Sequence, residues 1–296
     1  MTASFGIDHP LLATYDIEKL RAHLIDMGFN MTAVGKHPWG TSTSLAMFNG
    51  CLLEIMGIYD DRLIDEVPAG KFRFGRHVYE HLQTREGVAL TALHSTDSQA
   101  DAATAQRAGF SVAGHLEFGR DVILPDGTAG RTKTTLALLP DQDFPRLSFF
   151  LCQQHRPDLI YVPEWLEHPN TVSGICGVTI VALPSHHVAL QEKFGGLYGQ
   201  ITQIEGGFEC TTANGILRVV DAVTFDKTIG PLAKASAKDF ADTQTPFIAG
   251  MDFSAASLTR LCGILDRAGI SWTGQDIVTL DFSDATANTV FRFFAA

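Results

Sequence analysis

An internal repeat constrains this chain more than any other feature, because a unit recurring at fixed spacing must fold the same way each time. The stretch "GIDHPLLATYDIEKLRAHLIDMGFNMTAVG" reads as an apolar strand, an acidic helix start at Asp16, a short amphipathic helix and a glycine exit. Ile17, Leu20, Leu24 and Met27 share one helical face, and Gly28 stands where a left-handed helix end costs least. "GVALTALHSTDSQADAATAQRAGFSVAG" repeats the pattern: Gly6, Asp16 and Gly28 map onto Gly87, Asp97 and Gly109 at one constant offset of 81. Weaker copies begin at "GICGVTIVALPSHHVALQEKFGGLYGQITQ" and "FIAGMDFSAASLTRLCGILDRAGISWTG".

Each helix is followed by paired extended stretches, such as "TSLAMFNG" with "CLLEIMGI" and "TTLALLP" with "LSFFLCQQ". In the second half the pairs are "FECTTANG" with "ILRVVDAVTF" and "DIVTLDF" with "TVFRFFA". Each reads as a hairpin turned by Asn, Gly, Asp or Pro. The expected fold is therefore α+β, with four βαβββ modules. One such unit cannot close its own sheet. Two side by side make a curved half-barrel with helices on the outside and a concave cleft suited to a small ligand. The Pro-rich stretch "RPDLIYVPEWLEHPN" places a domain boundary near residue 170, giving domains 1–170 and 171–296.

Composition excludes several classes. Apolar residues make up 45% and Phe alone numbers 20, ample for a core, so a disordered or fibrous chain is ruled out. The net charge of -11, with no basic run, argues against nucleic acid as a partner. No stretch approaches the roughly 18 to 20 apolar residues of a spanning helix. The first residues lack the basic and apolar regions of a secretory signal, so neither membrane nor export is expected. Five scattered cysteines without a CxxC read as reduced thiols of a cytoplasmic protein. Neither a phosphate-binding glycine loop nor a G-x-S-x-G elbow is present.

The repeat, with "IDHPLLATYDIEKLRAHLIDMGF", "GKHPWGTSTSLAMFNGCLLEI" and "FFLCQQHRPDLIYVPEWLEHPN", resembles the glyoxalase-like domain family. That family lies within the vicinal oxygen chelate superfamily of glyoxalases, bleomycin-resistance proteins and extradiol dioxygenases. The resemblance covers residues 6–170, while residues 171–296 share only the repeat pattern. It implies metal ligands on the first and last strands of the paired modules, where this chain carries His9 and Glu54. Strand alternation groups His9 with Ile7, Leu11 and Ala13, and Glu54 with Leu52 and Met56. A carboxylate between Leu53 and Ile55 needs a cation, a cationic side chain or a proton to neutralise it.

The second module departs from this pattern, since Leu90 takes the place of His9. Its last strand, "FFLCQQH", has two registers. One turns Gln153 and His155 inward, making His155 a third metal ligand and Gln153 a substrate neighbour; the other turns Cys152 and Gln154 inward. The first register is the preferred expectation. Such a set would suit a divalent metal (Zn, Mn, Fe or Ni). In "GKHPWGTST", His37 is a candidate acid–base group and Trp39 a substrate contact, and His168 in "EHPN" is a candidate to close over the cleft. The third and fourth modules hold Gly177 and Met251 on their first strands, and Arg218 and Arg292 on their last. They read as a dimerisation surface or a lid.

The expectation is a metal-dependent enzyme acting on a small oxygenated metabolite by vicinal-oxygen chelation, of the isomerase/lyase or dioxygenase type. The alternative is a non-catalytic binding or resistance protein using the same cleft. A small molecule is the expected partner, with homodimer formation left open.

Overall fold

The computed structural model describes residues 5–231 and 245–296. Module one contributes β1 (Ile7–Ala13), β2 (Gly35–Lys36), β3 (Thr41–Phe48) and β4 (Cys51–Ile58). In module two, β5 (Gly87–Ser95) and β6 (Gly114–Phe118) precede a small hairpin of β7 (Asp121–Ile123) and β8 (Ala129–Arg131). The module then ends with β9 (Thr134–Leu139) and β10 (Phe149–Gln154). Module three holds β11 (Val172–Val181), β12 (Thr202–Ile204), β13 (Gly207–Thr211) and β14 (Ile216–Val220). Module four holds β15 (Phe247–Ala255), β16 (Ile277–Leu280) and β17 (Val290–Ala295).

Two large sheets result, ordered β2-β3-β4-β1-β5-β10-β9-β6 and β12-β13-β14-β11-β15-β17-β16. In each, the first strands of two modules pair antiparallel at the centre, and each first strand runs parallel to the last strand of its own module. The α+β expectation of two curved half-barrel sheets stands.

The register between β1 and β5 demonstrates the duplication. His9 pairs with Ala92 and Leu11 with Leu90, while Pro10 pairs with Thr91. At the offset of 81, Pro10 and Thr91 are images of each other, and the two flanking pairs exchange. A pseudo-twofold axis therefore passes between Pro10 and Thr91. The helices obey the same relation. Asp16 and Asp97 cap Ile17–Asp26 and Ser98–Arg107 through their side chains, and Gly28 and Gly109 take left-handed φ values of 84° and 91° beyond the last turns.

The helices cover the outer face of each sheet, as expected, but those faces meet. Leu20, Leu24, Ala102 and Ala105 from the first pair join Leu190, Phe194, Leu261 and Leu265 from the second in one continuous core. Phe29 touches both Phe253 and Phe293, with ring centroids 5.9 and 6.5 Å apart. The Asn214 side chain, from the second half, brackets Ile7 like an added strand, accepting from its N–H and donating to its C=O at 2.8 Å each.

Three local features depart from the strand reading. "DAVTF" forms the helix Ala222–Thr228, because the Asp221 carboxylate accepts from Thr224 N–H and caps it. Among the described residues, module four keeps two strands after its helix, with an isolated Thr273–Thr279 bridge in place of a third. The β7–β8 hairpin is an insertion that the repeat does not contain.

Candidate functional site

The inner face of the first sheet bounds a cavity of about 380 Å³. Its floor is polar. A register shift between Ile7 and His9 turns β1 locally, so that Asp8 and His9 are both buried and in contact. His9 Nδ1 donates to Asp8 Oδ1 at 2.7 Å, and His9 Nε2 faces Glu54 Oε2 at 3.1 Å. Thr43 Oγ1, on β3, donates to Glu54 Oε1 at 2.5 Å. His94 approaches the other Asp8 oxygen at 3.5 Å from the half-exposed side. Burial opposes a charge on the His9 ring, but Asp8 and Glu54 outweigh it and raise its pKa. Burial likewise opposes the Glu54 carboxylate, yet His9, aided by Thr43, holds its pKa below the usual range. The floor is an imidazolium–carboxylate pair oriented from both sides.

The walls are aromatic. Trp39, Phe74, Phe118 and Phe150 line them, and the Phe150 ring meets His9 edge-on at 5.4 Å. Trp39 stacks under His37 at 4.6 Å in the turn before β3. Gly40 makes that turn possible: at φ +79°, a Cβ there would stand 2.3 Å from the Asp60 carbonyl oxygen. His37 donates through Nδ1 to Thr41 Oγ1 at 2.9 Å, and its Nε2 accepts from the Arg120 guanidinium. Burial and the Arg120 charge push the His37 pKa down to about 3, so the ring is neutral. The roof comes from Val122 and Ile123 of the hairpin, with Leu159, Ile160 and Trp165 from the segment after β10.

His9, Glu54, His37 and Trp39 thus share one cavity. The other three candidates lie elsewhere, and for these the preferred register is corrected. Cys152 and Gln154 of β10 face the cavity. Gln153 instead accepts from Ser98 N–H and donates to the Thr96 carbonyl, holding the start of the Ser98–Arg107 helix. His155 is bonded to Thr135 Oγ1 at 2.7 Å and does not line the cavity. His168 is buried between Phe29 and Phe48, accepting from Asn30 N–H through Nδ1 and donating through Nε2 to the Met47 carbonyl. It ties the segment before β11 to Asn30 and to β3 within the first half, and it does not line the cavity.

Sequence reasoning missed Asp8, Thr43 and Arg120. Asp8 and Thr43 carried a signal, as polar groups inside strands that must be buried. Arg120 carried none, because the hairpin that follows it is outside the repeat.

A divalent metal held by protein needs roughly three or four donors converging on one point. His9 and Glu54 supply two. The pseudo-twofold axis takes His9 to Leu90, and it takes the Leu11–Glu54 pair to Ala92–Phe150. Both image positions are therefore apolar. Among the described residues, no three His, Cys, Asp or Glu side chains are grouped to hold a metal ion. The donors present do not fit a protein-held metal of the kind the resemblance implies.

Comparison with known proteins agrees with the architecture. A glyoxalase-like domain family matches residues 7–193. No curated protein matches the chain by sequence. A hypothetical protein from Staphylococcus aureus is similar in structure at a TM-score of 0.68 and 13% identity, covering 98% of this chain and 99% of that one. A variant of 4-hydroxymandelate synthase from Streptomyces coelicolor gives 0.63 at 11% identity, covering 100% and 93%. The Mn(II)-bound glyoxalase from Novosphingobium aromaticivorans gives 0.55 at 12% identity, covering 100% and 83%. At such identities the likeness is one of fold. Its duplicated modules, its paired half-barrels and the match across most of the chain place this protein in the glyoxalase-like domain family of the vicinal oxygen chelate superfamily.

Proposed function

We propose that the chain is a glyoxalase-like enzyme that moves a proton on a small oxygenated metabolite in the cavity of its first sheet. The observation that carries this reading is the Asp8–His9–Glu54 chain at the floor of an aromatic cavity. A substrate oxygen that displaces the His9–Glu54 contact would receive the Nε2–H hydrogen bond. Glu54, freed on that side and still held by Thr43, would take the proton from the adjoining carbon. Asp8 keeps the imidazolium charged and oriented throughout. Aromatic walls exclude water and strengthen both interactions. In this reading His37, neutral and engaged at both nitrogens, positions Arg120.

Proton exchange tests it. In D2O, the wild type is expected to speed deuterium incorporation into one or more 2-hydroxy ketones or 2-oxo aldehydes, followed by NMR. Glu54→Gln should lower that rate by about a hundredfold, within the range general base catalysis supplies. Metal analysis of untagged protein is expected to give well under one divalent ion per chain. Stoichiometric metal lost on His9→Ala would restore the metal-dependent reading. The two apolar image positions, Leu90 and Phe150, favour a second reading, a binding protein without catalysis. Saturable binding of those carbonyl compounds with no exchange would establish it instead.

A further inference from the structure

The cavity wall holds a cation that feels Glu54 across the cavity but has no carboxylate in contact with it among the described residues. Arg120 lines the wall directly before the β7–β8 hairpin, and its backbone N–H is anchored to Thr132 Oγ1 at 2.9 Å. Its guanidinium donates to His37 Nε2, an uncharged acceptor. Among the described residues, no carboxylate forms an ion pair with it. Its chain neighbour Asp121 is engaged by Arg131 at 2.7 Å, and Glu54 is engaged by His9 and Thr43. A β-carbon on Gly35 would come within 3.0 Å of Arg120 Nη1, so the glycine leaves the guanidinium room against β2. A half-buried guanidinium on a largely aromatic wall, with N–H donors left over from His37, offers an anion a charge-assisted site. Its planar fork matches the two oxygens of a carboxylate, and the aromatic walls beside it suit an acid with an apolar body.

We propose that Arg120 is the specificity-determining residue of this cavity and that its ligand is a carboxylic acid with an apolar or aromatic body. The carboxylate pairs with the Arg120 guanidinium, beside His37. The body lies against Trp39, Phe74, Phe118 and Phe150. Other oxygen atoms of the ligand are left to face His9 and Glu54. This deepens the proton-transfer reading by naming the substrate class, and for its catalytic meaning it rests on that reading.

Binding of 3-phenylpropionate and of its uncharged near-isostere 3-phenylpropionamide can be followed by tryptophan fluorescence, since Trp39 and Trp165 both line the cavity. The acid is expected to bind the wild type about tenfold or more tightly than the amide, as charge-assisted hydrogen bonds predict. Arg120→Gln should abolish that preference, the loss falling far more on the acid than on the amide, and an unchanged circular dichroism spectrum would show that the variant is folded. Arg120→Lys should retain part of the preference. Equal binding of acid and amide to the wild type would overturn the proposal. So would failure of the acid to saturate the signal, or a loss in Arg120→Gln that falls equally on both probes. The acid preference requires no chemistry at Glu54. Its presence without deuterium exchange into a 2-oxo acid such as phenylpyruvate would therefore sink the catalytic reading alone, and exchange without any acid preference would sink only this one.

Discussion

At the scale of single residues, the sequence marks polar groups that must be explained, and the structure decides what explains them. Glu54 between Leu53 and Ile55 demanded a positive neighbour, and His9 supplies it, with Asp8 behind. His168 looked like a pocket residue and is instead a buried rivet within the first half, between Asn30 and Met47. Its Nδ1 can accept from Asn30 N–H only while unprotonated, and burial lowers its pKa from the ordinary 6.5. A group with a depressed folded pKa contributes stability above its unfolded value and loses it as pH falls. Denaturant midpoints of the wild type should therefore drop on acidification below about pH 6.5 more steeply than those of His168→Gln, which can hold the same two bonds without titrating. Parallel curves would show that His168 plays no such part.

At the scale of elements, close backbone approach matters as much as apolar pattern. The helix Phe74–Leu82 buries Phe74, Val78 and Leu82, and Phe74 forms part of the cavity wall. It can dock because residue 75 is glycine: a Cβ there would lie 2.1 Å from the Trp39 carbonyl oxygen and 2.9 Å from two backbone atoms of Ile64. No side-chain rotation relieves such a contact. Gly75→Ala is expected to destabilise the fold by roughly 1–3 kcal/mol, the range for overpacking, despite alanine's better helix propensity. It should also weaken ligand binding, because the turn bearing His37 and Trp39 must shift. Equilibrium denaturation would check the first effect, and Trp39 fluorescence the second. The β7–β8 hairpin also packs through a glycine, but against a side chain that can give. A Cβ on Gly130 would meet Leu159 at 2.9 Å, so the two parts of the roof rest on each other through a glycine.

At the scale of the whole molecule, the two half-barrels are not independent. Their helices share one core, and the ring cluster of Phe29, Phe253 and Phe293 crosses between them. Chemical denaturation should therefore show one transition, with fluorescence and circular dichroism superimposing. Phe29→Ala, which opens a hole in that shared core, should lower the common midpoint by about 3–5 kcal/mol of stability. Two separated transitions, with only the first displaced, would mean that the halves fold alone. The second sheet carries no counterpart of the acid–base floor. Where the first has His9 and Glu54, it has Asp252 locked to Arg292 at 2.7 and 2.6 Å, with Arg218 beside it. That pairing neutralises the charges its strands bury.

Local chemistry was enough to read the modules from the chain. Helix caps, glycine exits and turn residues act over a few positions, and the duplication repeats them at a constant offset, so four modules and two curved sheets were legible. The pair His9 and Glu54 was legible too, since an acid inside an apolar strand announces itself. The register of β10 was not: a shift of one residue exchanges Gln153 and His155 for Cys152 and Gln154, and both patterns alternate equally well. Nor was Arg120 readable, or the roof. Those depend on where an inserted hairpin and a Pro-rich segment come to rest, which is set by contacts between parts distant in sequence.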